Sequence, residues 1–207
     1  MTVIGLDLAG LPSKPTGFAS LLNRKFKTGL VYSDEEILDP CLRKRPALVA
    51  IDAPLGPPLS GNLRQADRLL IGRGFRVFPL TFASMKELTS RGIHIAGELR
   101  ENDIKIIEVH PRTSGKIFFG TSERRAWLSN LGQKRWIVSQ KMSEHEADAV
   151  MAALTAWLHL RGKTEEVGMA AEGTIVIPRW PLRALGRGRP FDRGSILQRQ
   201  GRPPAFV

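Results

Sequence analysis

One cysteine, Cys41, is all that this chain of 207 residues contains. No internal disulfide can form, and no zinc finger or paired-thiol redox centre can be built from cysteines. No apolar stretch approaches the roughly 20 residues that a bilayer-spanning helix needs, and the N-terminus has neither the basic lead nor the long apolar core of a secretory signal. A cytoplasmic setting without membrane attachment is the expectation. A Gly-x-x-x-x-Gly-Lys-Ser/Thr phosphate loop is also missing, and no heptad pattern announces a coiled-coil partner, so a homodimer is neither indicated nor excluded.

Acidic residues are scarce: 20 Asp and Glu face 31 Lys and Arg, for a net charge of +11. The excess is concentrated at the end. Between Arg179 and Val207 seven arginines face Asp192 alone, so this stretch carries six of the eleven net charges. A segment so rich in Arg, Gly and Pro buries too little apolar surface to offset its ordering entropy, and it is expected to be extended or disordered. Its guanidinium groups suit phosphates, which makes nucleic acid the expected partner; a merely solubilising tail is the alternative. The chain as a whole is 42% hydrophobic, enough for one α/β core, which is expected in residues 1–178.

Short apolar runs predict strands at residues 3–9, 17–22, 26–31, 47–51 and 105–109, the second and third joined as a hairpin. Helices are expected over 33–45, 62–72, 82–91, 112–119 and 123–131, and from Ser143 onward. The last is the best marked. Ser143 and Glu146 have capping-box spacing, and the stripe Ala147, Val150, Met151, Leu154 and Leu158 is flanked by alanines, so this helix should be buried almost all round.

Three acids stand where apolar segments meet their polar ends: Asp7 after the first strand, Asp52 after the fourth and Asp148 in the first turns of the alanine-rich helix. Acids so placed converge readily, and converging carboxylates repel unless a cation joins them. Asp7, Asp52, Asp148 and His145, which lies one turn before Asp148, are therefore the candidate ligands for Mg²⁺ or Mn²⁺. Asp7 is expected to bridge two such ions, and His145 to bind metal or shuttle a proton. Glu108, on the fifth strand, is a further catalytic candidate, with a pairing to Arg112 as its alternative. Arg64, Arg68, Lys116, Arg124 and Arg125 are candidate phosphate contacts, although Asp67 offers Arg64 and Arg68 a local ion pair.

Taken together, Val3-Ile4-Gly5-Leu6-Asp7, Ala50-Ile51-Asp52-Ala53-Pro54-Leu55-Gly56, Ile107-Glu108-Val109-His110-Pro111 and His145-Glu146-Ala147-Asp148-Ala149 resemble the domain of unknown function 429 family, whose members are described as predicted nucleases with a ribonuclease H fold. The resemblance extends over roughly residues 1–178. The order of acids is also similar to that of Holliday-junction resolvases of the same superfamily. These resemblances imply a ribonuclease H-like α/β fold, a mixed five-stranded sheet of order 3-2-1-4-5 flanked by helices, and metal-dependent phosphodiester hydrolysis. Two other classes compete. Gly5-Leu6-Asp7-Leu8-Ala9-Gly10 also resembles the first phosphate loop of actin-like kinases, which implies a phosphotransferase, and the same fold could serve as an inactive nucleic-acid-binding scaffold.

Overall fold

The structure, a computed structural model, describes residues 1–179. The basic tail lies outside them except for Arg179, whose Nε donates to the Thr164 carbonyl at 2.9 Å. Within the described residues one seven-stranded sheet has the order β3-β2-β1-β4-β5-β7-β6. Its strands are β1 (Val3–Asp7), β2 (Thr16–Leu22), β3 (Lys25–Val31), β4 (Leu48–Asp52), β5 (Ile106–Val109), β6 (Thr164–Met169) and β7 (Gly173–Pro178). The expected order of the first five strands is present, with β1 to β3 antiparallel and β1, β4 and β5 parallel.

The sheet is not five-stranded, because β7 pairs parallel to β5 and β6 pairs antiparallel to β7 at the edge. This hairpin has a weak sequence signature because Glu165, Glu166 and two glycines break up its apolar signal. Val167, Ile175 and Ile177 nonetheless bury against Ala66 and Leu70 of α2 (Gln65–Gly72), which closes a small third core.

Strand parity divides the rest of the interior. Val3, Leu48 and Ala50 face one side, with α6 (Glu144–His159) and the tryptophans Trp127 and Trp136. Ile4, Leu6, Val49 and Ile51 face the other, with α1 (Asp34–Lys44) and α3 (Ala83–Glu101). Helix α3 runs ten residues past the expected end at Arg91. Gly92, which reads as a breaker, is instead needed for a close approach: a Cβ there would lie 3.0 Å from the Pro54 carbonyl oxygen. Beyond it Ile95, Ala96 and Leu99 are buried, and that burial outweighs the roughly 1 kcal/mol that Gly costs in a helix.

Helix α1 likewise continues through Pro40, held by a complete Ser33/Glu36 capping box and by buried Ile37 and Cys41. The Cys41 thiol, pushed up to about 12 by burial, is a core residue. Helices α4 (Pro111–Phe119) and α5 (Arg124–Gln133) pack beside α6, with Trp127 donating from its indole to the Thr121 carbonyl at 2.7 Å. No described helix is long and apolar enough to cross a membrane.

Candidate functional site

Parity and register bring the acids together. Asp7 shares the face of Val3 and Gly5, Asp52 shares the face of Leu48 and Ala50, and the two aspartates are register partners at the ends of neighbouring parallel strands. Both therefore point toward α6. That helix lies unusually close to the sheet, because glycines replace side chains where it crosses. A Cβ on Gly5 would lie 2.2 Å from the Ala149 carbonyl oxygen, and one on Gly17 would lie 2.0 Å from that of His145. Gly17 is also the β2 partner of Asp7. The contact that seats the first turn of α6 on β2 thus places His145 beside Asp7, with Nδ1 and Oδ2 2.7 Å apart.

The start of α6 is fixed by the capping box expected from sequence: Ser143 Oγ accepts from the Glu146 N–H, and Glu146 Oε2 accepts from the Ser143 N–H. A further bond ties it to the sheet, since Thr28 Oγ1 donates to Glu146 Oε1 at 2.8 Å. One turn on, Asp148 is buried and engaged by Arg124 of α5. Nε and Nη2 of the guanidinium donate to its two carboxylate oxygens at 2.9 and 2.5 Å, while Nη1 reaches Glu144 at 2.6 Å.

The charges respond to this crowding. Burial, then the charge of Asp148, pushes the Asp7 carboxyl up to about 6, against the opposing pull of His145 and Arg124. Asp52 is raised well above the carboxylate range by burial, then by Asp7, Asp148 and Glu108. Three acids thus share one end of the sheet with a single guanidinium among them.

Asp7, Asp52, Asp148 and His145 are therefore neighbours. Glu108 is not part of their face. It pairs in register with Ile51 rather than with Asp52, so its side chain projects to the opposite side of the sheet. There Arg64 donates two bonds to it, at 2.8 and 2.6 Å, and the Leu55 N–H a third. Burial pushes the Glu108 carboxyl up, and the Arg64 bonds pull against it. Arg112, its expected alternative partner, is not the one found.

Arg64 takes the ion pair that Asp67 offers rather than a phosphate. It is 1% exposed, and its remaining bonds go to Asp67, so it braces the interior. Arg68 donates to the Leu63 carbonyl at 2.6 Å, and Lys116 lies over the Phe75 ring at 5.6 Å. Arg68 thus lies on α2, and Lys116, on α4, is turned to Phe75 beside the third core. Arg125 is exposed at the start of α5, next to Arg124. The Arg124 pairing with Asp148 has no sequence signature, since 24 residues separate the partners. The glycines of the kinase-like string are explained by packing: Gly5 meets the α6 backbone, and a Cβ on Gly10 would lie 3.0 Å from the Leu88 nitrogen.

Comparison with known proteins defines the fold class. RuvC of T. thermophilus in complex with Holliday junction substrate superimposes with a TM-score of 0.50 at 14% identity, covering 84% of this chain and 99% of that one. A second Thermus thermophilus RuvC structure gives 0.45 at 15% identity, covering 78% and 97%. The fold is thus ribonuclease H-like, a mixed α/β sheet with helices on both faces. No family model and no curated protein matches the chain.

Proposed function

We propose that this protein is a divalent-cation-dependent nuclease, and that it belongs to the domain of unknown function 429 family that its motifs resemble. The observation that carries the reading is the placement of Asp7 and Asp52, register partners at the ends of two parallel strands, under a helix that delivers His145 and Asp148 to the same face. In a ribonuclease H-like fold this puts oxygen donors of the kind that hard cations prefer at the carboxyl ends of the central strands.

The donor set fits Mg²⁺ or Mn²⁺ in its chemistry: two carboxylates that burial and mutual repulsion leave short of positive charge, a third acid, and an imidazole. The four side chains stand open rather than closed into a coordination shell. Among the described residues no three His, Cys, Asp or Glu side chains are gathered around one point, and Arg124 holds both oxygens of Asp148. Asp7, Asp52 and Asp148 would hold the metal, with His145 as a further ligand. Bound divalent cations supply activation of water and stabilisation of the leaving oxygen in phosphodiester hydrolysis. The chain's own groups do the rest. His145, half exposed and bonded to Asp7, is placed to pass a proton between the acid cluster and solvent. Arg125, exposed at the start of α5, would hold a phosphate, and Arg124 would do so once a cation had taken its place on Asp148.

An inactive nucleic-acid-binding role is favoured by one observation, the neutralisation of Asp148 by Arg124 without any metal. One experiment separates the two. Purified protein is offered single- and double-stranded DNA, RNA and a four-way junction with Mg²⁺ or Mn²⁺, beside Asp7→Asn and Asp148→Asn variants shown by circular dichroism to be folded. Cleavage that chelator abolishes and that falls at least about 100-fold in both variants is the expected result. A wild type that binds the panel but cuts nothing, or variants that cut as well as it does, would overturn the nuclease reading.

A further inference from the structure

Beside the acid cluster lies a cleft of about 800 Å³, walled by the start of α5, the start of α4 and the segment 140–144 that leads into α6. Its volume falls within the roughly 300–1,000 Å³ of small-molecule sites. The lining is two-sided in character. Arg112, Arg125 and Lys141 are exposed along it, and among the described residues none of the three is in an ion pair. Met142, half-buried, supplies the main apolar contact, since Leu128 and Ala147 are buried; Ser122, Glu123 and Gln140 make the rest of the lining polar, and Arg124 and Glu144 form the wall shared with Asp148.

Cations around a concavity of this size, with one apolar side chain among polar groups, suit a unit that has a phosphate and a planar part with polar edges. A duplex backbone lying on a basic patch requires no such concavity. An unpaired nucleotide, turned out of its stack, uses it, laying one face on an apolar side chain and meeting polar groups at its edge. We propose that this cleft seats one unpaired nucleotide of a nucleic-acid strand, its base against Met142 and its phosphate held by Arg112, Arg125 and Lys141. The next phosphate of the strand is thereby directed past Arg124 toward Asp7 and Asp52. The inference deepens the nuclease reading and rests on it for that last step alone. The seat itself is independent of cleavage, and it makes the protein selective for strands with an unstacked position over continuous duplex.

The test is made on the full chain in chelator, so that nothing is cut. Binding of a duplex, of the same duplex with a single-nucleotide bulge, and of a single strand is measured across a salt series, each as DNA and as RNA. The wild type is compared with an Arg112→Ala/Lys141→Ala double variant and with Met142→Trp, which fills the cleft while leaving its charges. Bulged and single-stranded probes are expected to bind at least about tenfold more tightly than duplex. In the double variant that preference disappears, and the slope of log affinity against log salt for single strand becomes shallower by about 1.4, the value for two lost phosphate contacts at roughly 0.7 each. In Met142→Trp the preference falls while the slope stays. Equal wild-type affinity for duplex and bulge, or a preference that survives both variants, overturns the proposal. The nuclease reading fails separately: a seat confirmed by binding in a protein that never cuts with Mn²⁺ leaves this inference standing, whereas Asp7-dependent cleavage with no preference for unpaired probes leaves only the other.

Discussion

At the scale of single residues, proton linkage gives the sharpest expectation. Asp7, raised from 3.8 to about 6, keeps a proton in the folded chain that the unfolded chain releases, so its contribution to stability falls as pH rises through that window. His110 acts the other way. Lowered by burial from 6.5 to about 4, it refuses a proton that the unfolded chain binds, and its contribution rises over nearly the same range. The two slopes oppose each other, so the wild-type profile alone says little. The difference between Asp7→Asn and wild type is cleaner. In chelator, the melting temperature of the variant relative to wild type should climb by about 5 °C between pH 4.5 and 7, as the removed carboxylate ceases to cost stability. A flat difference would mean that Asp7 titrates normally.

Arg124 gives a second expectation at this scale. Without its guanidinium, buried Asp148 loses its partner beside Asp7 and Asp52, so Arg124→Ala should be less stable than wild type in chelator. Mn²⁺ should then raise its melting temperature more than it raises that of wild type, because no guanidinium has to leave Asp148 first. Parallel thermal scans with and without metal read this directly, and equal metal shifts would show that Arg124 does not compete with the cation.

The buried pair is a third case. Glu108→Gln should cost about 3 kcal/mol in urea unfolding, since it leaves Arg64 short of a charge it needs in a site that is 1% exposed.

At the scale of elements, close approach between strand and helix is what holds the site. Gly17→Ala would press a Cβ into the His145 carbonyl, and Gly5→Ala would press one into the Ala149 carbonyl. Both should destabilise by more than about 3 kcal/mol in urea unfolding. Gly17→Ala should also break the His145–Asp7 contact, visible as a shift of the His145 imidazole signals in NMR. Ser143→Ala removes one cap and should cost about 1 kcal/mol.

These elements also show what a sequence makes legible. Helix α6, β1 and β4 can be read because their signals are local: a capping box, and apolar runs that end in an acid. Parity then carries Asp7 and Asp52 to one face. The same parity excludes Glu108, but its strand is only four residues long, and its register against β4 is set by pairing that no local pattern records. The β6–β7 hairpin is hidden because adjacent Glu165 and Glu166, with Gly168 at a φ of +113°, look like a loop until Ala66 and Leu70 are seen packed against it. The Asp67 partner of Arg64 is legible three residues away, whereas Glu108, 44 residues on, is revealed only by the fold.

For the molecule as a whole, charge is the property that matters. Six arginines from Arg183 to Arg202 lie beyond the described residues, whereas Arg179 is tied to the body through Thr164 and Lys163. Replacing the six by Gln should leave the melting temperature within about 1 °C, while weakening nucleic-acid binding and flattening its salt dependence by several units of slope. A filter-binding salt series and one thermal scan check both halves, and an unchanged slope would assign the attraction to the body instead.

Most of α6 is buried, and the same helix presents His145 and Asp148. Few of its positions can change without disturbing either the interior or the acids, and those that pack against Gly5 and Gly17 affect both at once. Over evolutionary time, quality control that removes misfolded chains therefore also guards the seat of the chemistry. A lineage of this protein that no longer needed its activity would keep Gly5, Gly17 and the alanine face of α6 long after selection on the reaction had ceased, while Asp7 and the half-exposed His145, which folding does not require, would be free to drift.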